Sequence, residues 1–388
     1  MIIVKPESTK LNKMSSVYLE IIRIISASYV FIFHVGSVSI GSALVFSTPQ
    51  YGKTLRLSSY TAHFFVIVFF VLSGFLITMS ASRPGLNFKT FLIARLGRLY
   101  SVLIPSLIFS YLVYAFLAYC KNVPPGQLEG SGHLLIRFFM NLSFLTQSWS
   151  LCSTPPLNTP FWSVNYEFVY YLLMGSLLLI RSNYKIVFFV IVALIAGPKV
   201  LILFPAWLVG SLLYYCTQRR LISPGISGVI FLITSCTIIF SVLNPEQFPL
   251  IKSSGDNYLW GANLLFSWNY QADYLFSLLV ALNIYSFFGI SKLLLDYFSN
   301  KGFEKVFNFI KTVGDCTYTL YLFHLPLLFL FAFLFPYNKD TSLNQFGLIL
   351  SVIVAVYFIA RFTEWKVLFW RDLVAGVFTL NFLKKQKK

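Results

Sequence analysis

Charge is what this chain has least of. Only 11% of its 388 residues are Asp, Glu, Lys or Arg, and just thirteen are acidic. With 57% hydrophobic and 19% aromatic content, a water-soluble domain could not cover its surface with polar groups, so that class is excluded. Histidine numbers four and cysteine five. No C-x-x-C pair, H-E-x-x-H, G-x-S-x-G or Walker loop occurs. That leaves no sign of a metal site, a hydrolase nucleophile elbow or a phosphate-binding P-loop. No Pro/Ser-rich linker, polar second domain or fixed-period repeat interrupts the chain either, and residues 1–388 read as one integral-membrane domain.

What is present is a succession of apolar stretches of about twenty residues, the length that crosses a bilayer as a helix. Ten spans fit: Val17–Ile40, His63–Ala81, Phe91–Tyr119, Phe161–Ile180, Ile186–Ala196, Val200–Cys216, Gly225–Leu243, Asp273–Ile290, Thr317–Phe335 and Leu343–Phe362. The expected fold class is all-α, a polytopic transmembrane bundle. The fifth span is short and tied to the sixth through Gly197-Pro198-Lys199. The basic start (Lys5, Lys10, Lys13) resembles a signal peptide. Its apolar segment is long and no small-x-small site follows, so it reads as a retained first span.

Basic residues set the orientation. Of the thirty Lys and Arg, all but Lys53, Arg56, Lys121, Arg137, Lys199, Lys252 and Lys339 fall on the amino-terminal side of the spans. Both termini are therefore expected in the cytoplasm. The net charge of +17 becomes an inner-face property, explained by topology and anionic lipid and including the Lys384-Lys385-Gln386-Lys387-Lys388 tail. Without a compact basic domain, nucleic acid is not expected as a partner. Cys120 and Cys152 share the long outer segment, where an oxidising environment allows a disulfide as a hypothesis.

The polar residues inside the spans are few. Arg23 and His34 lie eleven positions apart in the first span, which on a helix brings them within about 20° of one face and separates them by about 16 Å. Both are costly in hydrocarbon, so the pair suggests a polar pathway into the bilayer. Arg95 and Arg98 share a face at the start of the third span. They are either a fork for phosphate oxygens or anchors that snorkel to headgroups. Glu167, in the run Trp162-Ser163-Val164-Asn165-Tyr166-Glu167, is expected at a depth similar to that of His34, as a base and its orienting partner or as two unrelated groups. Ser73 and Gly74 within Phe69–Phe75 permit close helix approach. His63 reads as interfacial and His133 as solvated. His324 reads as a bundle-interior hydrogen-bonding residue or a second functional group.

Together these motifs make the chain resemble acyltransferase family 3, membrane proteins that O-acylate sugars and other acceptors at bacterial surfaces. The family's R-x10-H corresponds to Arg23 and His34, with Glu20 where the family often has an acid. Its F-F-x-x-S-G-F corresponds to Phe69–Phe75 with Ser73, and its R-x-x-R to Arg95 and Arg98. W-S-x-x-x-E corresponds to Trp162, Ser163 and Glu167, and G-x-x-x-Y-x-x-Y-L-x-H to Gly314, Tyr318, Tyr321, Leu322 and His324. The resemblance implies a multi-pass protein of the bacterial inner membrane with no permanently bound cofactor and acetyl-CoA as donor substrate. Arg23, Arg95 and Arg98 would bind the donor. His34 would deprotonate the acceptor or carry the acyl group, with Glu167 orienting it. Glu20, Ser73, Trp162, Tyr318 and His324 would support the site. The expected acceptor is a surface polysaccharide or lipid-linked glycan, such as lipopolysaccharide O-antigen, capsule or exopolysaccharide. The SGNH domain fused in many relatives has no counterpart here, which implies a stand-alone enzyme or a separate periplasmic acyl-accepting protein. The rival readings are a non-carbohydrate acceptor and a transporter or flippase of a lipid-linked sugar. Leu134–Trp149 and Pro245–Gln271 are expected to form the acceptor platform.

Overall fold

In hydrocarbon a backbone N–H or C=O has no water to bond, so an apolar chain of this kind satisfies itself as helices. A computed structural model describes residues 11–37, 39–40, 43–44, 59–123, 133–219, 221–249, 258–259, 262–298, 301–335 and 342–379. Lys5, Lys10 and the terminal lysine tail lie outside them, as does part of Pro245–Gln271. The described helices are α1 Lys13–Ser37, α2 Ser59–Ala81, α3 Phe88–Tyr119, α4 Leu134–Leu142, α5 Phe161–Leu179, α6 Tyr184–Ala196 and α7 Pro198–Leu201. They continue as α8 Phe204–Thr217, α9 Pro224–Leu243, α10 Tyr270–Tyr297, α11 Lys301–Gly314, α12 Thr317–Leu334, α13 Ser342–Phe362 and α14 Val367–Thr379. Two antiparallel pairs of two-residue strands complete the described structure, with registers Ser39 opposite Leu44 and Tyr258 opposite Asn263.

Among the described residues eight stretches are long and apolar enough to cross a membrane: Lys13–Val35, Ser59–Ala81, Phe88–Tyr119, Pro198–Thr217, Pro224–Leu243, Tyr270–Tyr297, Thr317–Leu334 and Asn344–Phe378. Two of the ten expected spans fall outside that group. Helix α5 is 19 residues long but carries Trp162, Ser163, Asn165 and Glu167 in its first turns. Helix α6 has 13 residues, about 20 Å against a hydrocarbon core of about 30 Å. The last expected span ends at Phe362 as the sequence suggested, but the apolar stretch goes on beyond it. After a 3-10 turn at Glu364–Lys366 the chain continues as α14, which packs on α3. Gly97, between the two arginines of α3, makes room for it: a Cβ there would lie 2.6 Å from Arg371 Cα.

Helix α2 is buried on almost every side, as expected of a helix that is apolar all round. It crosses α8 at backbone distance. A Cβ added to Gly74 would run into the carbonyl oxygen of Trp207, and one added to Gly210 into that of Val71. At the periphery the pattern inverts. Helix α9 buries Ser227, Thr234 and Ser241 and exposes Ile226, Val229, Leu232, Ile233 and Phe240. Small polar residues face the bundle and large apolar ones face outward, which suits lipid and not water. Cys120 and Cys152 are both unbonded, so the disulfide considered above is absent.

Within α12, Pro326 cannot donate to the carbonyl four residues back. That carbonyl, of Leu322, instead accepts hydrogen bonds from Ser106 Oγ at 2.7 Å and Asn158 Nδ2 at 2.8 Å. One freed acceptor thus ties α3 and the start of α5 to the turn that carries His324.

The α2–α8 crossing gives a direct test. Gly210→Ala should lower stability by about 1–3 kcal/mol through overpacking, read as a lower Tm in detergent. Gly228→Ala should be tolerated, since its added Cβ meets only Ile290 Cγ2 at 4.0 Å.

Candidate functional site

Helices α1 and α12 pack together and place the first-span arginine and histidine on one interior face. Arg23 Nη2 lies 2.6 Å from Glu20 Oε2 and donates to the carbonyl of Gly314. A side chain at position 314 would collide with the Glu20 carboxylate, so the late-motif glycine is required by this ion pair. Further along the same two helices His34 meets His324, with Nδ1 and Nε2 3.2 Å apart.

The hydrogen bonds assign the tautomers of this pair. His34 Nδ1 lies 2.8 Å from the Val30 carbonyl and His324 Nδ1 lies 3.0 Å from that of Leu320. A carbonyl only accepts, so both Nδ1 atoms carry protons in the neutral rings. His324 Nε2 then accepts from His34, and His34 Nε2 keeps the lone pair.

Glu167 is placed differently from the expectation. Ser73 Oγ donates to its Oε1 at 2.8 Å, and the Tyr171 hydroxyl donates to the same oxygen. Ser73 in turn accepts from Trp207 Nε1 at 3.2 Å. The partner of His34 is therefore His324, while Glu167 is held by α2 and by its own helix. The reason is rotation and depth: α5 carries Ser163 to the Tyr321 hydroxyl, 2.7 Å away, and Glu167 sits one turn beyond, on the arginine side.

Two cavities organise these groups. The first, about 110 Å³, is lined by Arg23, Arg95, Arg98, Glu167, Ser73 and Tyr318 among others. Nε of Arg23 and of Arg95 are buried without a hydrogen-bond partner among the described residues. Glu364, in the turn before α14, accepts from Thr319 N at 3.0 Å and Thr319 Oγ1 at 3.1 Å. The second cavity, about 480 Å³, is lined by His34, His63, Trp162 and several aromatic and amide side chains. Val66 and Tyr321 line both. Phe266 and Trp268, from the Pro245–Gln271 segment, reach the second cavity, whereas Leu134–Trp149 lines neither cavity. Phe144 of that segment instead accepts a hydrogen bond from Asn165 and braces α5.

Asp273, Tyr171 and Glu364 were not singled out in the sequence. Asp273 had a usable signal, an acid at the head of an apolar span. It is fully buried, and its Oδ2 lies 3.0 Å from His63 Nε2. His63 is thus tied into the bundle and not merely interfacial. Among the described residues no cluster of three His, Cys, Asp or Glu side chains could hold a metal ion.

If the Ser73 hydroxyl holds the Glu167 carboxylate as its geometry indicates, Ser73→Ala should cost roughly 1.5–3 kcal/mol. The same change in a Glu167→Gln background should cost clearly less, as a double-mutant cycle on thermal unfolding in detergent would read.

A family model described as an acyltransferase domain matches residues 16–361. No curated protein and no solved structure matches the chain.

Proposed function

The chain belongs to acyltransferase family 3, and on that premise we propose that it moves an acetyl group from cytoplasmic acetyl-CoA to a hydroxyl of a bacterial surface polysaccharide at the inner membrane. The observation that carries this reading is the pair of abutting cavities beside α1. Arg23 lines the first, His34 lines the second, and Val66 and Tyr321 line both.

In this reading the first cavity opens toward the cytoplasm, in keeping with the distribution of Lys and Arg. Arg95 and Arg98 take the phosphates of the coenzyme, for which a planar donor fork is well suited. The buried, unpartnered Nε atoms of Arg23 and Arg95 support an anionic occupant, because a buried donor left unmade is costly. The pantetheine arm runs along α1 over the roughly 16 Å from Arg23 to His34, passing Tyr321. At its end the thioester meets His34 Nε2. A sugar hydroxyl is a poor nucleophile until a base takes its proton, and an imidazole that keeps its lone pair at neutral pH can do that or carry the acetyl group itself. His324 holds that lone pair in place by accepting the Nδ1 proton. Glu167 lines the same cavity as the arginines.

The test uses membranes containing wild-type protein or His34→Ala, given acetyl-CoA labelled in the acetyl group and surface polysaccharide or its lipid-linked precursor from the source cells. Wild type is expected to place alkali-labile label on the glycan. His34→Ala should lower the rate by about 10²–10⁴-fold or more, and near-normal labelling by that variant would overturn its role. Arg95→Ala is expected to raise KM for acetyl-CoA by about tenfold or more, the loss of a hydrogen bond to a charged group; an unchanged KM returns it to a membrane anchor. No label from the wild type would reject polysaccharide acetylation and favour carriage of a lipid-linked sugar.

A further inference from the structure

The second cavity holds another histidine besides His34. His63 enters from α2, lines the same space as His34, and is bonded through Nε2 to Asp273 Oδ2 at 3.0 Å. Asp273 comes from α10 and its side chain has no exposure at all. Its other oxygen, Oδ1, is buried with no hydrogen-bond partner among the described residues.

A carboxylate buried on one hydrogen bond is an expensive way to fasten two helices. Desolvating it costs several kcal/mol, and apolar contacts of the same volume commonly do as well or better. The arrangement does have a chemical use. A carboxylate accepts the proton on Nε2, so neutral His63 carries its lone pair on Nδ1. In that tautomer Nδ1 can accept a proton from a ligand hydroxyl while the carboxylate holds the ring in place. His34 is set up in the opposite way. Its ring partner is a neutral imidazole, His324, which orients the ring without favouring a charge on it. Two histidines on one cavity, one backed by an imidazole and one by a carboxylate, fit two roles.

The wall beside His63 has a character of its own. The Trp162 ring lies parallel to His63 at 5.9 Å and stacks on Phe266 at 4.6 Å. Trp268 packs on Tyr60 at 5.4 Å, and the amides of Asn263 and Asn269 also line the cavity. Flat rings interleaved with a few polar groups suit a ligand with apolar C–H faces and hydroxyl edges. The space, about 480 Å³, is of the size that binds small ligands.

We propose that His63, oriented by Asp273, is the general base for the acceptor, and that the Trp162–Phe266 wall beside it seats the acceptor sugar. The inference rests on the acyl-transfer reading and divides the two roles that reading left with His34. His34 Nε2 attacks the thioester carbon; a C–N bond forms, the C–S bond breaks, the thiolate leaves, and His34 Nδ1 keeps its proton, hydrogen-bonded to His324. The acceptor oxygen then attacks the acetyl carbon of acetyl-His34. A C–O bond forms and the C–N bond breaks. The hydroxyl proton passes to His63 Nδ1 and from there through water to the thiolate, while His34 Nε2 regains its lone pair, so the two histidines end as they began. His63 touches the reacting hydroxyl and Asp273 is a positioning residue.

The experiment compares wild type with His63→Gln, His63→Ala and Asp273→Asn in the glycan-labelling assay. Glutamine can still donate to Asp273, so a helix-fastening role predicts near-normal kcat for His63→Gln. A base role predicts a loss of about a hundredfold or more with KM for acetyl-CoA unchanged, since His63 does not line the arginine cavity. His63→Ala should lose as much and recover in part when imidazole is added. Asp273→Asn should lower kcat while leaving KM for acetyl-CoA alone. Near-normal kcat for His63→Gln overturns the proposal. So does a loss in His63→Ala that imidazole does not relieve and that brings a raised KM for acetyl-CoA. If the wild type itself fails to label the glycan, the polysaccharide reading fails first and the inference falls with it, a result distinguishable because no variant is then compared with an active parent.

Discussion

The structure turns on one carbonyl oxygen. Inside a bilayer an acceptor that loses its helical donor must be met by another group of the protein. Pro326 deprives Leu322 of its donor, and Ser106 of α3 and Asn158 at the head of α5 supply two in its place. Asn158 also reaches Ser110 at 3.0 Å. Three segments far apart in sequence are thereby fixed against the turn of α12 that carries Tyr321 and His324. The Tyr321 hydroxyl is in turn set between Ser163 and the Pro160 carbonyl, and His324 is brought to His34. Both the histidine pair and the wall between the cavities therefore depend on how one helix handles its proline.

A second constraint comes from backbone proximity. The reciprocal contacts of Gly74 and Gly210 bring α2 and α8 so close that neither can rotate or slide without meeting a carbonyl. Ser73, next to Gly74, is consequently held at a fixed place, where it accepts from Trp207 and donates to Glu167. The short motif around Ser73 and Gly74 thus serves packing through its glycine and the site through its serine.

The sequence made the helical membrane class, the shared face of Arg23 and His34, and the proximity of Arg95 and Arg98 readable, because each follows from helical period or hydropathy within one segment. What it could not convey are pairings between segments. Glu167 and His34 were expected at one depth, but whether they meet depends on the rotation of α5, which is set by Asn158 and Ser163 bonding to α12 and Asn165 bonding to Phe144. The pairing of His324 with His34 comes only from the packing of α12 on α1. His63 looked interfacial because Asp273, its partner, lies 210 positions away. Helix α14 was missed for a related reason: its anchor on α3 is Gly97, a residue with no side chain to advertise the contact.

The wall made by Val66 and Tyr321 bears on the membrane as much as on the reaction. Two hollows lined by polar groups and meeting end to end inside a bilayer are most of a pore. A membrane holds a voltage worth about 2.3 kcal/mol per charge for each 100 mV, and protons follow any continuous chain of water and imidazole across it. Val66 and Tyr321 stand where the two hollows share a lining. A membrane protein built this way has its leak to protons decided at Val66 and Tyr321, the two residues that its hollows share.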